Sequence, residues 1–257
     1  MSSSTRSAAT VLAASALMAA GLTVTAAPAS AIHGGKNATT GTHPYAMQLR
    51  TAGGQHVCGG TLVAPTKVLT AAHCVKDVDA ARQLKVIGGR TNLAGTNGTV
   101  RGVADVTLHP QYDGFLGRDA AVLTLSARMP YRSLPVAGPR DNALYALGKT
   151  ATAVGWGQTA RDTSATRLKS AVLKLASIKT CEPFTGPTDT RALTVCGAPT
   201  ASTKDSTCRG DSGGPLIAGG KVIGIVSTGN KYCDDVHPDS VFTRVSAVAA
   251  DLGLSTS

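Results

Sequence analysis

Apolar residues run along this chain in short stretches, mostly β-branched and bounded by Gly, Pro, Asn or Asp. That pattern predicts strands, because β-branched side chains suit a pleated surface and turn residues punctuate it. Twelve segments qualify: Tyr45–Arg50, His56–Ala64, Lys67–Thr70, Leu84–Gly88, Val100–His109, Ala120–Leu125, Ala151–Gly155, Ala171–Ala176, Leu193–Cys196, Pro215–Ala218, Lys221–Ser227 and Val241–Val245. Only Ser246–Leu254 reads as a helix, opening on Ser and carrying an apolar face. Many short strands at regular spacing predict an all-β barrel or sandwich arrangement. Met129–Lys149, rich in Pro, Gly and Arg, interrupts the pattern and reads as a linker between two β halves of similar size.

The first residues follow a different rule. Arg6 precedes an uncharged run from Ala8 to Ala27, and Ala29-Ser30-Ala31 then gives a small-x-small cleavage pattern. Residues 1–31 are therefore expected to be an export signal, leaving Ile32 as the first residue of the exported chain. A membrane anchor is the competing reading. The run is mostly Ala, Thr and Ser, which insert poorly, and Pro28 closes it. Export suits the six cysteines, none in CxxC spacing, which argues against zinc and predicts three disulfides. Spacing alone leaves fifteen pairings open.

Composition narrows the function. Aromatics make up 4% of the 257 residues, so aliphatic side chains must fill the interior. Losing Arg6 from 25 basic residues, against 15 acidic ones, leaves a formal charge of +9. The basic residues are scattered singly, without a nucleic-acid-binding module, which predicts a solvated basic surface and no nucleic-acid partner.

Three segments carry chemistry. His73 ends an apolar strand in VLTAAHCV, Asp119 heads one in GRDAAVLTL, and Ser212 lies among glycines in DSTCRGDSGGPLI. A serine hydroxyl attacks poorly until an imidazole accepts its proton, and the imidazole needs a carboxylate to fix its tautomer. The backbone N–H groups of Gly210 and Ser212 are candidate donors to a developing oxyanion. Asp113 is the alternative acid, although it sits in a Tyr-Asp-Gly turn. GDSGG also matches the nucleophile elbow of α/β-hydrolases. Those enzymes place acid and His after the Ser on alternating strands and helices, whereas only 45 residues follow Ser212 here, with His237 the sole His and almost no helix.

With these residues the chain resembles the chymotrypsin/trypsin family of serine endopeptidases. LTAAHC, GDSGGP, GWG (Gly155–Gly157), HPQY and IHGG occur in the family's order, from Ile32 to the C-terminal helix. The resemblance implies two six-stranded antiparallel barrels with a cleft between them, at about 32–130 and 137–245, and a helix at about 246–254. It implies His73 as general base, Asp119 as orienting acid, Ser212 as nucleophile and Ser227 as a hydrogen-bond donor to the acid. It also implies the pairs Cys58–Cys74, Cys181–Cys196 and Cys208–Cys233. Finally, it implies an activation pair, in which the freed α-amine of Ile32 inserts beside Asp211. No propeptide is visible between Ala31 and Ile32, so signal cleavage itself is expected to activate the enzyme. His33 stands where the family usually has Val.

The resemblance leaves the substrate pocket with two readings. Ser206 falls at the floor, with Gly229 and Ser240 at the walls. A small neutral floor and open mouth favour large apolar side chains, aromatic ones included. If Thr207 is bulged out, or the register slips after Pro238, Asp205 or Asp239 takes a pocket position and selects Arg or Lys. The segment matching the family's calcium loop, 86–99, holds no acidic residue, so no metal and no other cofactor is expected. Asn37 and Asn97 head glycosylation sequons. The expected partners are protein or peptide substrates, with proteinaceous inhibitors as further candidates. A secreted monomer is expected, its Ala, Gly and Thr richness pointing to a bacterial exoenzyme. A catalytically silent binding protein on the same scaffold is the second function class.

Overall fold

The computed structural model describes Met1 and residues 32–114, 116–161 and 163–256. The export-signal segment therefore lies almost wholly outside the described residues. Six strands close the first barrel: β2 (Ala46–Arg50), β3 (His56–Ala64), β4 (Lys67–Thr70), β5 (Lys85–Gly88), β6 (Thr99–Leu108) and β7 (Ala121–Leu125), in the order β2-β3-β4-β7-β6-β5. The second comprises β8 (Thr150–Gly155), β9 (Lys169–Ala176), β10 (Thr194–Pro199), β11 (Pro215–Ala218), β12 (Lys221–Gly229) and β13 (Ser240–Arg244). Its order is β9-β10-β13-β12-β11-β8, and pairing of β8 with β9 closes the ring. Every strand pairing is antiparallel. A short strand β1 (Lys36–Asn37), absent from the sequence reading, adds to β9 and ties the N-terminal segment to the second barrel.

Alternation explains the strands. In β9 the side chains of Ala171, Leu173 and Leu175 are buried while Val172 and Lys174 face solvent, the period of two that a half-buried strand requires. Met47, Leu49, Leu62, Val68 and Leu123 fill the first barrel, and Leu173, Leu216, Ile223 and Phe242 the second. A third cluster, including Leu69, Val122, Val222, Ile225 and Val248, packs the barrels against each other and the C-terminal segment. Full burial of each such side chain contributes roughly 1.5–3 kcal/mol.

The helix expectation needs two corrections. A second helix, α1 (Val78–Arg82), exists and is capped by Asp77, whose carboxylate accepts from Ala80 N at 3.0 Å. The C-terminal helix α2 is only Val245–Val248, continuing as hydrogen-bonded turns to Gly253. Gly253, at φ +64°, is the left-handed residue that stops it. The segment read as a linker is also anchored: Tyr145 is buried and donates to Ile223 O at 3.0 Å.

Candidate active site

His73 lies just beyond β4, in a single 3-10 turn (Ala72–Cys74) that the Cys58–Cys74 disulfide ties to β3. Asp119 immediately precedes β7 and is 3% exposed. Its Oδ1 accepts from His73 N at 2.8 Å, and its Oδ2 pairs with His73 Nδ1 at 2.7 Å and accepts from Ser227 Oγ at 2.6 Å. Thr243 Oγ1, which sequence reasoning missed, donates to Asp119 O at 3.1 Å. A carboxylate only accepts, so His73 Nδ1 carries a proton and a neutral ring presents a lone pair at Nε2. Asp113 instead lines a separate cavity with Arg118 and Asp189.

Ser212 sits between two glycines in the left-handed region, Gly210 at φ +93° and Gly213 at φ +78°. A Cβ on Gly213 would collide with Thr70 Oγ1 and Gly59 O of the first barrel, so the close approach of the two barrels demands glycine there. Gly59 N donates to Ser212 O at 2.7 Å, holding the serine loop across the cleft. The N–H groups of Asp211 and Gly213 are taken by Cys208 O and Val226 O. Those of Gly210 and Ser212 donate to no acceptor among the described residues. Neither His73 Nε2 nor Ser212 Oγ makes a hydrogen bond among the described residues. The hollows that the two side chains line share Ser227 and Thr228.

His56, not singled out in the sequence, steadies this loop. Its Nε2 donates to Gly210 O at 3.0 Å, and its ring packs edge-on to Trp156. Burial pulls its pKa down to about 4, partly opposed by the bond to Gly210, and Nδ1 is buried without a partner. The folded state resists protonating His56 while the unfolded chain does not. Stability should therefore fall as the pH drops from about 6.5 to 4, by on the order of 2–3 kcal/mol from this residue. Urea denaturation of His56→Gln across that range should show a shallower acid loss; an identical pH slope would remove His56 from this role.

Asp211 is fully buried. Its carboxylate accepts from Cys208 N at 2.9 Å and Gly157 N at 2.7 Å, yet burial pushes its pKa up to about 7. Side chains at Gly155 or Gly157 would strike that carboxylate, which explains the GWG motif. Ile32 is also fully buried, in the core of the second barrel.

The hollow beside Ser212 has a volume of about 100 Å³ and is lined by Thr207, Ser227, Gly229 and Asn230, with Arg209 and Lys231 among its other residues. Ser206 and Ser240 are fully buried behind it, Ser206 Oγ accepting from Asn230 Nδ2 at 3.0 Å and Ser240 Oγ from Thr207 N at 2.9 Å. Asn230 is thus a pocket residue that the sequence did not reveal. Neither Asp205 nor Asp239 lines the hollow. Asp205 lies against Gly34 of the N-terminal segment, and burial raises the pKa of both carboxyls.

The structure forms the disulfides Cys58–Cys74, Cys181–Cys196 and Cys208–Cys233, the last joining the two segments that wall the hollow. Among the described residues one trio has the proximity of a metal site, Cys58, His73 and Cys74. Its two sulfurs are joined in a disulfide and offer no thiolate. No helix among the described residues is long and apolar enough to cross a membrane.

Comparison with known proteins agrees with this fold. The sequence profile of the Trypsin family matches residues 32–251. A trypsin of Saccharopolyspora erythraea is 39% identical over 219 residues, covering 84% of this chain and 94% of that protein. Granzyme M of Rattus norvegicus is 34% identical over 226 residues, covering 84% and 85%, and trypsin iota of Drosophila melanogaster is 31% identical over 215, covering 80% and 81%. With two closed six-stranded barrels and a family match that runs almost from Ile32 to the C-terminus, the chain belongs to the trypsin family of serine endopeptidases.

Proposed function

We propose that this chain is a secreted endopeptidase that cleaves through an acyl-enzyme formed on Ser212. The observation carrying the proposal is the hydrogen-bonded line from Ser227 Oγ through Asp119 to His73. Ser212 Oγ attacks the scissile carbonyl carbon while His73 Nε2 takes the hydroxyl proton. The carbonyl oxygen becomes an oxyanion facing the N–H groups of Gly210 and Ser212. His73 then returns the proton to the leaving amine, the C–N bond breaks, and an ester to Ser212 remains. Water, deprotonated by His73, hydrolyses that ester and regenerates the serine.

The pocket takes an uncharged, apolar side chain. Its lining residues include two cationic side chains and no carboxylate, so a buried Arg or Lys would lack a partner. Its roughly 100 Å³ is less than the roughly 150 Å³ cavity that holds benzene, which favours aliphatic over aromatic groups. Export and activation are one event: cutting after Ala31 frees the Ile32 amine to pair with Asp211. Ile32 is β-branched yet sits at φ +55°, a strained torsion for an internal residue. A chain beginning at Ile32 has no preceding carbonyl to strain.

An organofluorophosphate should label Ser212 and fail to label Ser212→Ala; no labelling of the native protein would leave it a binding protein. Peptide anilides ending in Leu, Val or Met should be cleaved at least tenfold faster than those ending in Arg or Lys. The reverse order would return Asp205 or Asp239 to the pocket and overturn its assignment.

A further inference from the structure

We propose that His33 is a positioning residue that clasps the segments walling the Ser212 pocket, and that it does so as an imidazolium. The proposal rests on reading that hollow as the substrate pocket. His33 touches three separate stretches of chain. Its main-chain carbonyl accepts from Ser206 N at 3.0 Å, on the segment leading into Thr207 and Cys208 of the pocket wall. Its Nδ1 lies 2.9 Å from Thr159 O, and its Nε2 lies 2.8 Å from Asp235 Oδ1.

Both ring partners are acceptors. A carbonyl oxygen and an ionised carboxylate carry no hydrogen, while a neutral imidazole carries one N–H. Either neutral tautomer would set a nitrogen lone pair against an oxygen lone pair. Only the doubly protonated ring donates to both. The stretches held are the ones that shape the pocket: Gln158, beside Thr159, donates to Arg209 O at 2.7 Å. Asn230 joins Ser206 Oγ to Asp234 O, next to Asp235. Cys208–Cys233 joins the same two walls. His33 adds the tie from the N-terminal segment to all three. The charged groups facing it are Asp235 from the 229–235 wall and Asp205 from the floor segment, with Lys36 beside Asp205. With one ring proton in place of two, one of the two side-chain contacts is lost.

The test compares the secreted enzyme with His33→Gln and Asp235→Asn from pH 5.5 to 8.5. At pH 6 each variant should show KM raised roughly fivefold with kcat within twofold, the value of one charge-assisted hydrogen bond to a partner 66% exposed. The ratio of variant to native KM should approach one at pH 8.5. Any pH dependence of the chemical step is common to all three proteins and cancels in that ratio. A ratio constant with pH would overturn the clasp. Amide exchange of residues 205–209 and 229–235, on a Ser212→Ala background, gives a second readout that needs no hydrolysis. Those amides should exchange faster in the variants at pH 6 and equally at pH 8.5; equal exchange at pH 6 would also overturn it. If no protein hydrolyses peptide or reacts at Ser212, the endopeptidase assignment fails while exchange still decides the clasp.

Discussion

Asp119→Asn should lower kcat by about four orders of magnitude while changing KM less than tenfold. The size follows from the three donors that surround this carboxylate: His73 N on Oδ1, and His73 Nδ1 with Ser227 Oγ on Oδ2. An asparagine amide keeps one oxygen and replaces the other with NH2. If the oxygen stays on His73 N–H, the amide nitrogen faces Nδ1 and Ser227. The hydroxyl of Ser227 can rotate to accept, but the imidazole must move its proton to Nε2. In that tautomer the ring offers Ser212 a donor instead of a base. Flipping the amide is no escape, because NH2 would then oppose the His73 main-chain N–H. Thermal denaturation should show a folded variant, since the shape is unchanged. Asp113→Asn should lower kcat less than threefold, as Asp113 lines a different cavity. A tenfold or smaller loss in Asp119→Asn, or a large one in Asp113→Asn, would move the orienting acid elsewhere.

How far the sequence could be read depended on the range of the interactions involved. Strands were legible because burial on one face leaves a local period, as in Ala171, Leu173 and Leu175. His73, Asp119 and Ser212 could be proposed from the sequence because each is embedded in a short distinctive run, VLTAAHCV, GRDAAVLTL or DSTCRGDSGGPLI. Gly213 lies inside such a run, although what demands glycine there is distant in sequence: its Cβ would meet Thr70 and Gly59 of the first barrel. The α1 signal was present in Asp77 followed by Ala80 and Ala81, but five residues leave little periodicity. Pocket chemistry was not legible. The direction of Asp205 depends on Ser206 pairing with His33, a contact between segments far apart in sequence. Asn230 likewise reaches Ser206 across the Cys208–Cys233 link, and nothing in its own neighbourhood announces that. His56 gave no signal because its partner is a main-chain oxygen, Gly210 O.

A chain that retains Ala31 should be about a thousandfold less active than one beginning at Ile32, and its stability should depend on pH in the opposite way to an ordinary ion-paired aspartate. Asp211 has a pKa raised to about 7 by burial, against 3.8 for an ordinary carboxyl. Between those values the folded chain holds a proton that the unfolded chain releases. The contribution of Asp211 to stability is therefore greatest below about pH 4 and is lost progressively as the pH rises through 7. Keeping the carboxylate ionised above pH 7 costs on the order of 4 kcal/mol of stability. In the proposed activation pair, an ammonium group at Ile32 would offset that cost by pairing with the carboxylate. The cut chain should then lose activity only in alkali, as an amine of ordinary pKa about 8, raised by the pair, gives up its proton. Urea denaturation of both forms on a Ser212→Ala background, at pH 5 and 7.5, reads the first effect. Organofluorophosphate labelling of the Ser212 forms reads the second. Parallel stability curves and equal labelling would show that Asp211 does not await the Ile32 amine. Secreted protein that begins upstream of Ile32 and is inactive until trimmed would leave the pair intact but assign the activating cut to a later protease.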